Sequence, residues 1–206
     1  MYSPELNCLF IHIPKVAGNS ILQSLGTKWE HHKDLPYYLD ELGAARIESL
    51  FKFAFVRNPW ERIFSEYNFQ RKKSERPDTV RLFLCKEDGS VRTFPEWVRH
   101  ALTHPEDHCS QHWGGRTSEH IHRLSPQFDW ISIENKIAID FVGRLEQSQE
   151  DFDKVCAQLD LPPCRLRRKN RKFHWNYPRY YDHETQKLVT DYYAKDIDTF
   201  GYRFGQ

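Results

Sequence analysis

The chain has 206 residues, 39% hydrophobic and 15% aromatic, which suffices for one domain with a buried core and excludes a disordered chain. Thirty basic residues against 29 acidic ones give a net charge of +1, so no global field attracts DNA, RNA or anionic lipid. Residues 1–7 lack the features of a signal peptide and no apolar stretch is long enough to span a bilayer. We therefore expect a single soluble domain over residues 1–206, located in the cytoplasm and without a nucleic-acid partner.

β-Strands are predicted at three short apolar runs, residues 8–13, 52–56 and 137–142. Each run passes quickly into a helical pattern, and this strand-then-helix order is typical of parallel βαβ units. The predicted fold class is therefore α/β, with a central, mainly parallel sheet flanked by helices.

The clearest helix signal follows the second of these strands. Asn58 can cap a helix, Pro59 suits its first position, and Glu61 stands where a capping box places an acid. The sequence therefore predicts a helix over residues 60–72.

Three further helices are predicted later in the chain. Thr93 and Glu96 have capping-box spacing and begin a helix that Pro105 should end. Apolar residues at helical spacing predict two more helices, over residues 147–159 and 182–195.

The first predicted strand runs into a short loop of small residues that contains Lys15. Such a loop lets backbone N–H groups approach phosphate oxygens, the start of a helix adds the positive end of its dipole, and Lys15 adds a mobile charge. The lysine precedes Gly18 instead of following it, so this is not a Walker A loop. On spacing alone, the segment is either a phosphate site or an ordinary strand-to-helix turn.

The second predicted strand ends at Arg57, and Ser65 lies about two helical turns further on. An arginine at the carboxyl end of a parallel strand stands where ligands of open α/β sheets bind, and its planar fork suits phosphate. Both residues can therefore meet one anion. The alternative is that Arg57 is an ion-paired strand end and Ser65 a solvated helix residue.

Together the two motifs resemble the carbohydrate sulfotransferases of the family that includes heparan 2-O-sulfotransferase and its bacterial relatives. Residues 12–20 match that family's pattern H-x-P-K-T-G/A-G-T-S, and residues 55–65 match its pattern F-V-R-N-P-x-x-R-x-x-S. The likeness continues through residues 125–127, 140–146, 151–152, 180–182 and 200–202, so it spans nearly the whole chain.

The resemblance implies a P-loop-like fold that binds 3′-phosphoadenosine 5′-phosphosulfate (PAPS) as co-substrate, without a metal. The 5′-phosphosulfate would be bound by Lys15, Val16, Ala17, Gly18, Asn19 and Ser20. The 3′-phosphate would be bound by Arg57 and Ser65. The reaction implied is transfer of a sulfuryl group to a hydroxyl, on a sugar or glycan acceptor.

Two residues of the first loop depart from the family pattern. Val16 and Asn19 stand where the family usually has threonine, and Asn19 can still donate a hydrogen bond while the Val16 side chain cannot. Backbone contacts survive both changes, so we expect weaker or differently shaped phosphosulfate binding.

Sulfuryl transfer needs a cation at the leaving group and a base at the acceptor hydroxyl. Lys15 is the candidate for stabilising charge on the leaving phosphate. Among eleven histidines, His32 is the first candidate for the base, with His31 and His12 as alternatives.

A run of histidines with one cysteine has the composition of a metal site: His100, His104, His108, Cys109, His112, His120 and His122. Pro105 interrupts the spacing and no zinc signature is matched, so we predict no metal there. The basic run at residues 165–172 is interpreted as a surface loop or a lid over the nucleotide phosphates. Two other functions stay open: a nucleotide-dependent kinase, and a nucleotide-binding protein without turnover.

Overall fold

A four-stranded sheet forms the centre of the fold. The computed structural model describes residues 1–27, 32–73, 84–104, 121–166 and 174–206. The strands of the sheet are β1 (Tyr2–Ser3), β2 (Cys8–Ile11), β3 (Phe51–Val56) and β6 (Phe141–Arg144). The strands stand in the order β1-β2-β3-β6. β1 is antiparallel to β2, β2 is parallel to β3, and β3 is parallel to β6, which confirms the predicted α/β class with a mainly parallel sheet.

Helices flank this sheet. They are α1 (Gly18–Ser24), α2 (Leu35–Leu42), α3 (Ala44–Glu48), α4 (Pro59–Lys73), α5 (Phe94–Thr103), α6 (Gln127–Trp130), α7 (Ser148–Gln158), α8 (His183–Tyr192) and α9 (Ala194–Phe200). Short 3-10 turns cover Leu145–Gln147 and His174–Tyr180. None of the helices in the described residues is long and apolar enough to cross a bilayer.

The two inner strands supply the middle of the core. Every residue of β2 is buried, and β3 is buried from Lys52 onward. A parallel strand covered on both faces reads as a continuous apolar run instead of an alternating one, which is why both strands stand out in the sequence. β2 and β3 end at the same edge of the sheet, so the segments that follow them meet there.

The predicted start of helix α4 is confirmed, although one capping residue acts differently. The Asn58 Oδ1 atom accepts hydrogen bonds from the N–H groups of Trp60 (3.1 Å) and Glu61 (3.4 Å). Glu61 is not the capping-box acid that the spacing suggested, because its carboxylate pairs with Arg57. The N–H of Asn58 instead donates to Glu146 Oε1 at 2.7 Å, which ties the start of α4 to the 3-10 turn after β6.

Two of the later helices also follow prediction. Helix α5 begins after Thr93, whose N–H donates to Glu96 Oε2 at 2.8 Å in a capping box. Helix α7 lies within the predicted residues 147–159. Pro105, the predicted stop of α5, lies outside the described residues.

The third predicted strand, residues 137–142, is wrong in its boundaries. Ile137 belongs to a separate hairpin of β4 (Ser132–Ile133) and β5 (Lys136–Ile137), and β6 begins only at Phe141. The two residues between β4 and β5 both have positive φ, 48° at Glu134 and 62° at Asn135. This is the backbone of a tight two-residue hairpin turn, and the hairpin places Ile137 outside the central sheet.

The predicted helix over residues 182–195 is two helices. Asp182 caps α8 by accepting from the N–H of Thr185 at 2.7 Å, but the helix ends at Tyr192 and α9 begins at Ala194. The interruption is Tyr193, which is fully buried and donates its hydroxyl to the carbonyl of Leu124 at 2.5 Å. The break therefore coincides with a buried tertiary contact.

Candidate active site

The loop after β2 has the strained backbone of a tight turn. Lys15 (φ 72°) and Ala17 (φ 64°) both have left-handed backbone conformations, which are uncommon for residues other than glycine. Helix α1 begins directly afterwards, at Gly18. Lys15 in the loop and Ser20 in α1 are half-buried and Asn19 in α1 is exposed, so three of the predicted donor-site side chains reach the surface here.

Val16 lies differently from its neighbours in the loop. Its side chain is fully buried in the core, so its main chain is the part that remains for a ligand. The substitution of valine for threonine therefore places an apolar side chain in an apolar environment.

Gly18 is fixed by close approach to an imidazole ring. A Cβ atom at Gly18 would stand 1.9 Å from both Cδ2 and Nε2 of His12, which is itself buried. The ring of His12 also packs on Phe10, with centroids 5.6 Å apart. His12 thus supports the start of α1 from the end of β2.

Replacing Gly18 with alanine is expected to destabilise the protein by about 1–3 kcal/mol, because the added Cβ would overlap the buried His12 ring. Urea denaturation measures the change. In a His12→Ala background the same substitution should cost almost nothing, since the clashing ring is gone. An equal cost in both backgrounds would show that His12 does not set the requirement for glycine.

Arg57 connects the two predicted motifs. Its guanidinium Nη1 donates to the carbonyl oxygen of Lys15 at 3.1 Å, and Nη2 pairs with Glu61 Oε1 at 2.9 Å. The whole residue is only 2% exposed. Ser65 lies one helical turn beyond Glu61 on α4 and is half-buried. An anion bound here would therefore share the guanidinium with the Glu61 carboxylate.

Arg62 is a second buried arginine that sequence reasoning did not single out. It donates to three carbonyl oxygens, those of Pro14 (3.2 Å), Ser125 (3.0 Å) and Arg123 (2.8 Å). It therefore ties the loop before Lys15 to the segment that precedes helix α6. Its place in the second motif, five residues after Arg57, was the available signal.

His32 is brought to the end of β2 by a hydrogen bond to main chain. Its Nδ1 lies 2.7 Å from the carbonyl oxygen of His12, and the two imidazole rings are 4.3 Å apart. Because a carbonyl oxygen only accepts, Nδ1 carries the proton, and in the neutral ring Nε2 is then the basic nitrogen. Burial, together with the charge of Arg123, lowers the pKa of His32 to about 4, although the His12 carbonyl and Glu66 oppose this. His32 is therefore neutral near pH 7.

His12 is poorly suited to act as the base itself. Its Nδ1 is buried and has no hydrogen-bond partner among the described residues. Burial and the neighbouring His32 hold the pKa of His12 well below its usual range. The other alternative, His31, lies outside the described residues.

A buried ion pair lies beside Lys15 and His32. Arg123 donates from Nε to Glu66 Oε1 at 3.1 Å and from Nη2 to Glu66 Oε2 at 2.9 Å. Burial alone would raise the pKa of Glu66, but the charges of Arg123 and Lys15 outweigh it and hold the pKa at about 2. The Lys15 Nζ atom lies 4.0 Å from the centroid of the Phe69 ring, and the Arg123 guanidinium is 5.4 Å from it.

This ion pair and Phe69 were not predicted. Glu66 and Phe69 follow Ser65 on α4 and look like ordinary helix residues, and Arg123 is distant in sequence. The assembled site is suited to bind an anion and accept a proton nearby, because four cationic side chains accompany the neutral His32: Lys15, Arg57, Arg62 and Arg123.

The predicted histidine cluster is only partly described. His108, Cys109, His112 and His120 lie outside the described residues. The ring of His100 on α5 is 5.1 Å from that of His104, the residue after the helix, whereas His122 Nε2 lies 3.3 Å from the hydroxyl of Tyr192. Within the described residues no three metal-ligating side chains are grouped. Most of the predicted lid, residues 167–172, also lies outside the described part.

Comparison with known proteins gives one family. The family model of the sulfotransferase family matches residues 1–203. Carbohydrate sulfotransferase 14 of Mus musculus is 27% identical over 188 residues, and that of Homo sapiens is 26% identical over 188 residues. Each match covers 79% of this chain and 47% of the relative, so the chain spans about half the length of the curated relatives it matches. No solved structure matches the chain significantly.

Proposed function

Because the chain belongs to the sulfotransferase family, we propose that it transfers a sulfuryl group from PAPS to a hydroxyl group of a carbohydrate. The observation that carries this proposal is the hydrogen bond from Arg57 Nη1 to the Lys15 carbonyl. It joins the two motifs that would hold the two ends of the donor. The carbohydrate acceptor follows from the name of the relatives, carbohydrate sulfotransferase 14.

The donor would bind across the edge of the sheet where β2 and β3 end. The N–H groups of residues 16–20, with the side chains of Lys15, Asn19 and Ser20, would hold the 5′-phosphosulfate. Arg57 and Ser65 would hold the 3′-phosphate, with Arg57 turning part of its fork from Glu61 to the ligand. Since Val16 points into the core, it contributes only main chain.

The chemistry proposed is a single in-line displacement at sulfur. The acceptor oxygen forms a bond to sulfur while the bond from sulfur to the 5′-phosphate oxygen breaks, and His32 Nε2 takes the hydroxyl proton. Lys15 stabilises the charge that develops on the departing phosphate. The negative charge of the bound donor beside Lys15 raises the pKa of His32 from about 4, which strengthens it as a base.

Four parts of the sequence interpretation remain predictions: a single domain over residues 1–206, a cytoplasmic location, a reaction without metal, and the absence of a nucleic-acid partner. None of them is needed for the donor site. The proposal depends on recognition of a nucleotide that carries a 3′-phosphate.

Calorimetric titration with 3′-phosphoadenosine 5′-phosphate (PAP), AMP, and ATP with magnesium tests the proposal. PAP should bind far more tightly than AMP. A preference for ATP with magnesium would favour a kinase instead. Binding of PAP without sulfate transfer to any member of a glycan panel would favour a nucleotide-binding protein without turnover.

Replacing Arg57 with alanine should weaken PAP binding by about 2 kcal/mol, or roughly 30-fold, because a buried charged hydrogen bond to the 3′-phosphate is lost. AMP binding should change little. Arg57→Ala combined with Glu61→Gln should show the same loss, which separates the lost contact from the unpaired Glu61 charge. Unchanged PAP affinity in both variants would remove Arg57 from the donor site.

A further inference from the structure

Gln127 holds the main chain of Arg57 on both sides. The N–H of Arg57 donates to Gln127 Oε1 at 2.9 Å, and Gln127 Nε2 donates to the Arg57 carbonyl at 2.8 Å. The last registered sheet pair is Val56 with Arg144, so the Gln127 side chain extends the pairing by one residue. Gln127 is fully buried.

Asp196 in turn holds Gln127. Its Oδ2 accepts from the main-chain N–H of Gln127 at 2.8 Å and from Gln127 Nε2 at 3.2 Å. Its Oδ1 accepts from the N–H of Phe128 at 2.8 Å. Asp196 lies on α9 and is also fully buried, so a carboxylate from the last helix fixes the orientation of the glutamine amide.

The contacts continue from Arg57 to the loop. The Arg57 guanidinium donates to the Lys15 carbonyl, and Lys15 has the left-handed backbone of the turn. A chain of hydrogen bonds therefore runs from α9 through Gln127 and Arg57 to Lys15. Asp196, Gln127 and Arg57 are all buried, and burying polar groups costs free energy unless each is hydrogen-bonded.

We infer that Gln127 and Asp196 are positioning residues of the donor site, which fix the main chain of Arg57 so that its guanidinium meets both the Lys15 carbonyl and the nucleotide's 3′-phosphate. This inference rests on the proposed function. Neither residue touches the donor in it, and their effect passes through Arg57.

The ratio of the dissociation constants of AMP and PAP isolates this role, because it reports the contribution of the 3′-phosphate alone. Gln127→Leu should reduce that ratio about tenfold, the scale of one misplaced charge-assisted hydrogen bond. AMP affinity should stay within about twofold of the wild-type value. In an Arg57→Ala background, Gln127→Leu should leave the ratio unchanged, since no guanidinium remains to be misplaced.

Two further variants keep the test decisive if Gln127→Leu does not fold. Gln127→Glu keeps the acceptor for the Arg57 N–H but loses the donor to the Arg57 carbonyl, and Asp196→Asn weakens the hold on Gln127. Both should reduce the ratio. The matched control is Thr185→Val, which removes a buried polar group from the cap of α8 and should lower the melting temperature without changing the ratio.

Failure of the proposed function and failure of the inference about Gln127 and Asp196 give different results. If wild-type protein does not prefer PAP to AMP, the proposed function fails and the inference fails with it. If wild-type protein prefers PAP and the Gln127 and Asp196 variants lose only melting temperature, the inference alone is overturned. Loss of discrimination that persists in the Arg57→Ala background would also overturn it, because the effect would not pass through Arg57.

Discussion

Replacing His32 with alanine is expected to lower kcat by about 10²–10⁴-fold, the usual reach of a general base. The expectation follows from the tautomer: the hydrogen bond from Nδ1 to the His12 carbonyl leaves Nε2 as the basic nitrogen. Binding of PAP should change little, because His32 is proposed to meet the acceptor and not the nucleotide. The measurement is transfer of radiolabelled sulfate to whichever glycan the wild-type protein modifies, alongside calorimetry with PAP.

Two controls separate the base from a structural role of the same ring. His32→Asn can still donate to the His12 carbonyl but has no basic nitrogen, so it should be as inactive as His32→Ala. Added imidazole should restore part of the activity of His32→Ala only. The exposed His183 gives a matched substitution, His183→Ala, that should retain full activity. An active His32→Asn variant would exclude His32 as the base and direct attention to His31.

The sequence predicted those parts of the fold that depend on local signals. β2 and β3 are continuous apolar runs because both of their faces are covered, and α4 begins at an asparagine with proline next to it. The β4–β5 hairpin was not predicted, because the first residue of its turn, Glu134, is not a usual turn residue. The break between the two helices at Tyr193 was not predicted, because neither glycine nor proline marks it. The tertiary contact of Tyr193 with Leu124 leaves no local sequence pattern.

In the candidate site too, residues placed by local signals were predictable and partners distant in sequence were not. Arg57 follows directly on β3 and Lys15 lies in the loop after β2, so two parallel strands bring both predicted anion contacts to one edge of the sheet. Gln127 and Asp196 were not predictable as partners, because 69 residues separate them in the chain. The pair of Glu66 and Arg123 is separated by 57 residues, and a charge of either sign on its own is more often solvated.

Replacing Arg123 with methionine is expected to destabilise the protein by about 3–5 kcal/mol, because it leaves the Glu66 carboxylate buried without its bidentate partner. The double variant Arg123→Met with Glu66→Gln should recover most of this loss, since no uncompensated charge remains. Arg99 provides the matched control. It pairs with Asp182 and Glu184 at the surface, so Arg99→Met should cost no more than about 1 kcal/mol. Urea denaturation measures all three variants.

The loss of stability in Arg123→Met should depend on pH, whereas the loss from a simple packing defect should not. In the wild-type protein the pKa of Glu66, about 2, lies below its value of 4.5 in the unfolded chain. The ionised Glu66 therefore stabilises the folded protein fully above pH 4.5, and this stabilisation is lost as the pH falls toward 2. Without Arg123, burial dominates and raises the pKa of Glu66, so the destabilisation is complete at neutral pH and is relieved as the carboxyl protonates. The difference in unfolding free energy between wild type and Arg123→Met should therefore be largest at neutral pH and narrow as the pH falls through 4.5 toward 2. A difference independent of pH, or a double variant as unstable as the single one, would mean that Arg123 acts there by packing and not by its charge.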